Sequence, residues 1–191
     1  MSERTVDWTH ELLDQLEFYW SQFRAGLEGL TDDEYLWEPC PGCWSIRTSP
    51  DGATQADLVR PEPDPPPFTT IAWRLAHITT GVLGDRAHNH FGDHGGTFTH
   101  TFVAGPATAE AALAALDENY EAWHGGISGL DADGLAAPCG PAEGPFAEHP
   151  MAALVLHINR EVMHHGAEVL CLRDLYRCTD AGRTLGGQNR R

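Results

Sequence analysis

The chain has 191 residues and is 41% hydrophobic, enough to build the core of one ordinary domain. It holds no apolar run of the roughly 18 residues that a membrane-spanning helix requires. Its formal net charge is −16, and all 12 basic residues are arginine, so nucleic acid and anionic membrane surfaces are disfavoured as partners.

The N-terminal stretch MSERTVDWTH is polar and lacks the apolar segment of a secretory signal, so a cytoplasmic protein is expected. From Trp8 onward, Leu12, Leu16, Tyr19, Phe23, Leu27 and Leu30 recur at three- and four-residue steps. This spacing predicts a long amphipathic helix over about 7–30. TDDE then supplies an N-cap with a carboxylate three residues on, the signature of a fresh helical turn. Residues 38–68 hold most of the prolines and are expected to be irregular. Trp44, Ile46 and Phe68 are expected to pack parts of that segment onto the domain, with Trp44 covering a site.

A second helix is predicted from Thr69 or Thr70 to about His90, with Ile71, Leu75, Ile78 and Val82 as its apolar stripe. A third covers about 107–129, carrying Leu113, Leu116, Tyr120, Trp123 and Ile127. GLDADGLAAPCGPAEGP reads as a loop. A fourth helix runs over about 147–177, and the tail 178–191 reads as frayed. TFTHTF offers the one candidate strand, and there is no internal repeat. Trp8, Trp20, Trp73 and Trp123 follow helical spacing and are read as core. The expected architecture is all-α: a single four-helix bundle with a long Pro-rich connection between helices one and two.

The fourth helix carries the unusual chemistry. Leu154, Ile158, Glu161, His165, Val169 and Leu172 fall on one line of its surface, because residues four apart stack on a helix face. Glu161 and His165 therefore interrupt an inward apolar stripe. An unpaired buried carboxylate costs several kcal/mol or takes up a proton, whereas a metal ion satisfies carboxylate and imidazole together. Helical E-x-x-x-H pairs also serve as plain salt bridges on solvated faces, so the spacing alone leaves both readings open. His77 is the candidate third ligand, placed mid-helix beside Ile78, with Gly81 and Gly84 leaving space on the following turns. Three protein ligands leave coordination positions open, as in catalytic metal sites.

His164 competes with His165 but is offset by about 100° around the helix. Glu161 and His164 have the E-x-x-H spacing of di-iron bundles, yet helix two offers no inward carboxylate to match. His157, one turn before Glu161, is a candidate supporting partner. His88, His90, His94 and His100 read as a polar His-rich loop near the cavity mouth. Five cysteines, an odd number, argue against a disulfide framework. Cys40 and Cys43 have C-x-x-C spacing but supply only two of the four ligands of a zinc knuckle. Cys171 and Cys178 are read as core.

TTIAWRLAHI, followed late by HINREVMHHGAEVLCLRDLY, resembles the DinB/YfiT-like metalloenzyme superfamily, and PGCWSIR is similar to a segment of its members. The resemblance spans about 8–177. It implies a four-helix bundle and a metal triad of His77, Glu161 and His165. Glu161 stands where many members have His, and the same variant occurs in the mycothiol-dependent maleylpyruvate isomerase branch, which looks similar in REVxxH. The family further implies a transferase or isomerase of low-molecular-weight thiols such as mycothiol or bacillithiol, acting on an electrophilic small molecule. Two neutral imidazoles and one carboxylate would leave a divalent ion with net charge of about +1, suited to a thiolate. Zinc is the expected metal, with nickel or iron fitting the same donors. Arg74 or Arg160 are candidates for holding a substrate carboxylate. The competing expectation is a non-catalytic metal- or ligand-binding stress protein. A homodimer is compatible with either.

Overall fold

The computed structural model describes residues 6–92 and 104–179. The first helix, α1 (Trp8–Gly26), begins where Asp7 accepts a bond from the His10 amide at 3.2 Å. It stops four residues short of the expected end, and Gly29 takes a positive φ of 68° in the turn that follows. Thr31 and Glu34 then form the reciprocal cap predicted for the next turn, α2 (Asp32–Tyr35).

The segment 38–68 is not wholly irregular. Its middle, where Pro50 falls in the turn and not in a strand, forms a two-stranded antiparallel hairpin, β1 (Ile46–Thr48) with β2 (Thr54–Ala56), in the register Ile46 to Ala56. Gly52, at φ 85°, supplies the turn. The candidate strand TFTHTF lies outside the described residues.

The second helix of the bundle starts at Thr70, whose hydroxyl accepts from the Trp73 amide at 3.2 Å. It comprises α3 (Ile71–Ala76), a π-helical segment His77–Gly84, and α4 (Asp85–Phe91), which follow one another without a break. Its stripe Ile71, Leu75, Ile78 and Val82 is buried as expected. The third helix, α5 (Ala109–Ser128), is capped by Thr108 and buries Leu116, Tyr120, Trp123 and Ile127. The expected loop after it holds two further elements: α6 (Ala132–Ala136), capped by Asp131, and a 3₁₀ segment Pro141–Phe146. The fourth helix, α7 (Met151–Cys178), starts later than predicted because Pro150 disfavours a helical conformation at His149.

α1 packs on α5 and α7, and the π-helical segment packs on the same two helices, which closes the four-helix bundle. Among the described residues no helix is long and apolar enough to cross a membrane. Four packing expectations need correcting, the first being Phe68, which is 55% exposed while Trp44 and Ile46 are buried. Trp8 is 64% exposed at the start of α1, while Trp20 lies flat against Tyr120 at 3.8 Å. Cys171 is exposed because it sits one residue from buried Leu172, so it faces about 100° away. Cys178 is exposed at the last position of α7.

Candidate metal centre

The three side chains singled out in the sequence converge. One ligand atom from each of His77, Glu161 and His165 lies within 4.8 Å of the others, and all three are half-buried. The imidazoles of His77 and His165 meet edge to face at 4.9 Å between ring centres. His165 turns Nε2 to Glu161 Oε2 at 3.2 Å, and its other nitrogen, Nδ1, bonds Glu168 Oε2 at 2.9 Å. Glu168 in turn faces the Arg74 Nε at 2.8 Å, a charge contact rather than an aligned hydrogen bond.

That chain, Arg74 to Glu168 to His165, answers whether the donors suit a cation. Metal-bound histidines typically give their second nitrogen to a carboxylate, which fixes ring and tautomer. Glu168 occupies Nδ1 of His165 and leaves Nε2, on the side of Glu161 and His77, as the lone pair. Burial, with the charges of His165 and Arg74 adding to it, holds His77 near pKa 4 instead of 6.5, so its imidazole is neutral at physiological pH. Burial pushes Glu161 up, but the Arg160 hydrogen bond and the charges of His157 and His165 outweigh it, and the carboxyl ends below its ordinary value. With a cation bound, the donor set would be two imidazoles and a carboxylate, a set that zinc and several other divalent ions accept.

Backbone geometry helps to bring His77 there. It is the first residue of the π-helical segment, and such wider turns occur disproportionately at functional sites. The segment contacts both flanking helices closely. A Cβ on Gly84 would collide with the Asn119 side chain of α5 and lie 2.9 Å from the Thr79 carbonyl oxygen. Arg86 donates to the Gly81 carbonyl from one turn further on.

The triad lies in the wall of a cleft of about 370 Å³. Trp73 stacks on His77 at 5.8 Å, and Trp44 lies 5.7 Å from Trp73. Leu58, Val59 and Arg60 from the Pro-rich connection form the facing wall. Trp44 therefore borders the site, as expected, and Trp73, buried in the core as expected, borders it as well. A second cavity of about 520 Å³ adjoins the first and shares Arg86 and His157 with it; its own walls include Cys139, Phe146 and Leu154.

The other candidates separate clearly. The His164 side chain is 64% exposed and pairs with Glu168 Oε1 at 3.3 Å, outside the triad. With Glu168 and His165 it makes a second possible ligand group, which is more exposed. Arg160 donates to Glu161 Oε1 at 3.1 Å and to His157 Nδ1 at 2.6 Å, so Arg160 supports the carboxylate and His157 braces Arg160. Arg74 lines the cleft; Arg160, 66% exposed, lines the second cavity instead. His88 and His90 belong to α4 rather than a loop, and His90 is buried against Glu143 at 2.9 Å. His94 and His100 lie outside the described residues. Sequence reasoning did not assign Glu168, Arg86 or Glu143 to the site. Glu168, three residues after His165, was the legible signal; the other two depend on contacts between elements.

A family model described as the DinB superfamily matches residues 15–169, a span that includes all three triad residues. No curated protein and no solved structure matches the chain.

Proposed function

The chain belongs to the DinB superfamily, and from that premise we propose that it is a metal-dependent enzyme of low-molecular-weight thiol chemistry, a thiol S-transferase of the mycothiol or bacillithiol type. The observation that carries this reading is the convergence of His77, Glu161 and His165 within 4.8 Å, with His165 already fixed from behind by Glu168. These three residues would hold the divalent ion, with zinc preferred. A bound divalent ion lowers the pKa of a coordinated thiol from its free value near 8.5, which makes a nucleophile available at neutral pH.

The chain's own residues do the rest. Glu168 and Arg74 orient His165, and Arg160, braced by His157, orients Glu161. Trp44 and Trp73 supply apolar walls that limit water beside His77. Two cavities that share Arg86 and His157 in their walls offer room for two small molecules, one for the thiol and one for the electrophile. Arg86 and Arg160 both reach the second cavity and suit a carboxylate on either molecule.

The test is conjugation of monochlorobimane with mycothiol, bacillithiol or glutathione, run with and without chelator, alongside elemental analysis. The reading expects chelator-sensitive turnover with one of these thiols and about one metal ion per chain. It also expects Glu161→Ala and His165→Ala each to lose the metal. Bound metal with no turnover on any thiol would favour a non-catalytic binding protein. Retained stoichiometry in both variants would refute the ligand set.

A further inference from the structure

The turn Cys40–Pro41–Gly42–Cys43 has proline at its second position and glycine at its third, where Gly42 adopts φ 82°. That is the residue order a type II turn favours, and such a turn brings its end residues together. The two sulfurs lie 3.4 Å apart, and the Cys43 thiol donates to the Cys40 carbonyl oxygen at 2.9 Å. Cys40 is exposed, whereas Cys43 is 2% exposed. Disulfide formation would need the sulfurs to close by about 1.4 Å, to roughly 2.0 Å, which side-chain rotation can supply.

The turn is held on the far side of Cys43. The Arg47 guanidinium donates to the Cys43 carbonyl at 2.9 Å and pairs with Asp57 at 2.7 Å. Trp44 exchanges backbone bonds with Phe68 and Thr70 at 2.8 and 2.9 Å. The dithiol is thus anchored to the hairpin and to the start of α3, one residue from the tryptophan that borders the cleft.

We propose that Cys40 and Cys43 form a reversible dithiol–disulfide site that exchanges with low-molecular-weight disulfides. The Cys40 thiolate attacks one sulfur of the small disulfide, and the other sulfur leaves as a thiol after taking a proton. Cys43 then loses its proton and attacks the Cys40 sulfur of the mixed disulfide, which releases the second small thiol. The net exchange is one protein dithiol plus one small disulfide giving one protein disulfide plus two small thiols, with two electrons passing to the small molecule. Cys40 is the attacking group because it is exposed; Cys43, shielded, acts only on an adduct already bound beside it. Burial pushes the Cys43 thiol up, in keeping with that order of events. The site works independently of any bound metal.

The full-length reduced protein, with and without chelator treatment, is equilibrated with excess glutathione disulfide, quenched in acid, alkylated, digested with trypsin and weighed. The peptide 25–47 contains both cysteines. It is expected to lose about 2 Da, carry no glutathionyl group and resist alkylation, and to recover on adding reduced glutathione. Exposed Cys171 and Cys178 serve as internal controls that take mixed disulfides instead. Cys43→Ser should trap one glutathionyl group on Cys40, and Cys40→Ser should leave Cys43 unmodified. A wild-type peptide that remains fully alkylatable, or that keeps a stable adduct on Cys40, overturns the proposal. Because the wild-type peptide decides the matter, poor folding of a variant does not.

Discussion

His165 presents one nitrogen to Glu161 and the other to Glu168, so the two carboxylates have different jobs and their substitutions should differ in kind. Glu168→Gln keeps a partner for Nδ1 but weakens the hold on the ring. Metal affinity should fall by about 10- to 100-fold with stoichiometry retained, read by competition with a chromophoric chelator. Glu161→Ala should remove stoichiometric binding altogether. His77 gives a pH prediction. Its folded pKa is near 4, below the ordinary 6.5, so between these values the unfolded chain binds the extra proton. The stability of the metal-free protein should therefore fall as pH drops from about 6.5 to 4, by at most about 3 kcal/mol from this group. Between pH 6.5 and 4 the urea midpoint of wild type should fall more steeply than that of His77→Gln. Equal slopes in the two proteins would show that His77 does not titrate as its burial implies. Glu161 and His165 were legible because they interrupt an apolar helical stripe, and His77 because it stands mid-helix beside Ile78 of the inward stripe. Glu168 stood in plain view, but its role depends on Arg74, a residue on another helix.

At the scale of the element, the π-helical segment His77–Gly84 is the feature that sequence pattern could not reveal. A wider turn leaves the buried stripe Ile71, Leu75, Ile78 and Val82 intact, so periodicity reads the stretch as ordinary helix. Gly81 and Gly84 were read only as open space. Gly84 is instead a point of close approach to Asn119 and to the Thr79 carbonyl. Gly84→Ala should overpack this contact and cost about 1–3 kcal/mol, visible as a lower thermal midpoint. Unchanged stability would mean that the segment relaxes to ordinary helix, and metal affinity would then report whether His77 moved. The hairpin within residues 38–68 escaped notice for a related reason. Proline density marks the flanks of that segment, while strands of three residues are too short for alternation to register.

Across the whole molecule, a buried charge cluster fastens the end of the last helix to the end of the first. Arg173 is 2% exposed on α7, bonds both oxygens of buried Glu34 at 3.2 and 3.3 Å, and donates to the Gly26 and Glu28 carbonyls. It thereby satisfies carbonyls left open where α1 ends. Arg173→Ala would strand Glu34 without its buried partner and should cost about 3–5 kcal/mol by urea denaturation. Glu34 also bonds Arg177 at 3.1 Å, which is 52% exposed and should matter far less. The sequence alone determined the all-α bundle, its long connection and the two helices that carry the candidate triad, because the 3.6-residue period and capping residues are local properties. Only the tertiary structure decided the π-helical turn, the Glu168–Arg74 support, the paired cavities and the Arg173 clasp, because each depends on side chains that meet across elements far apart in the chain.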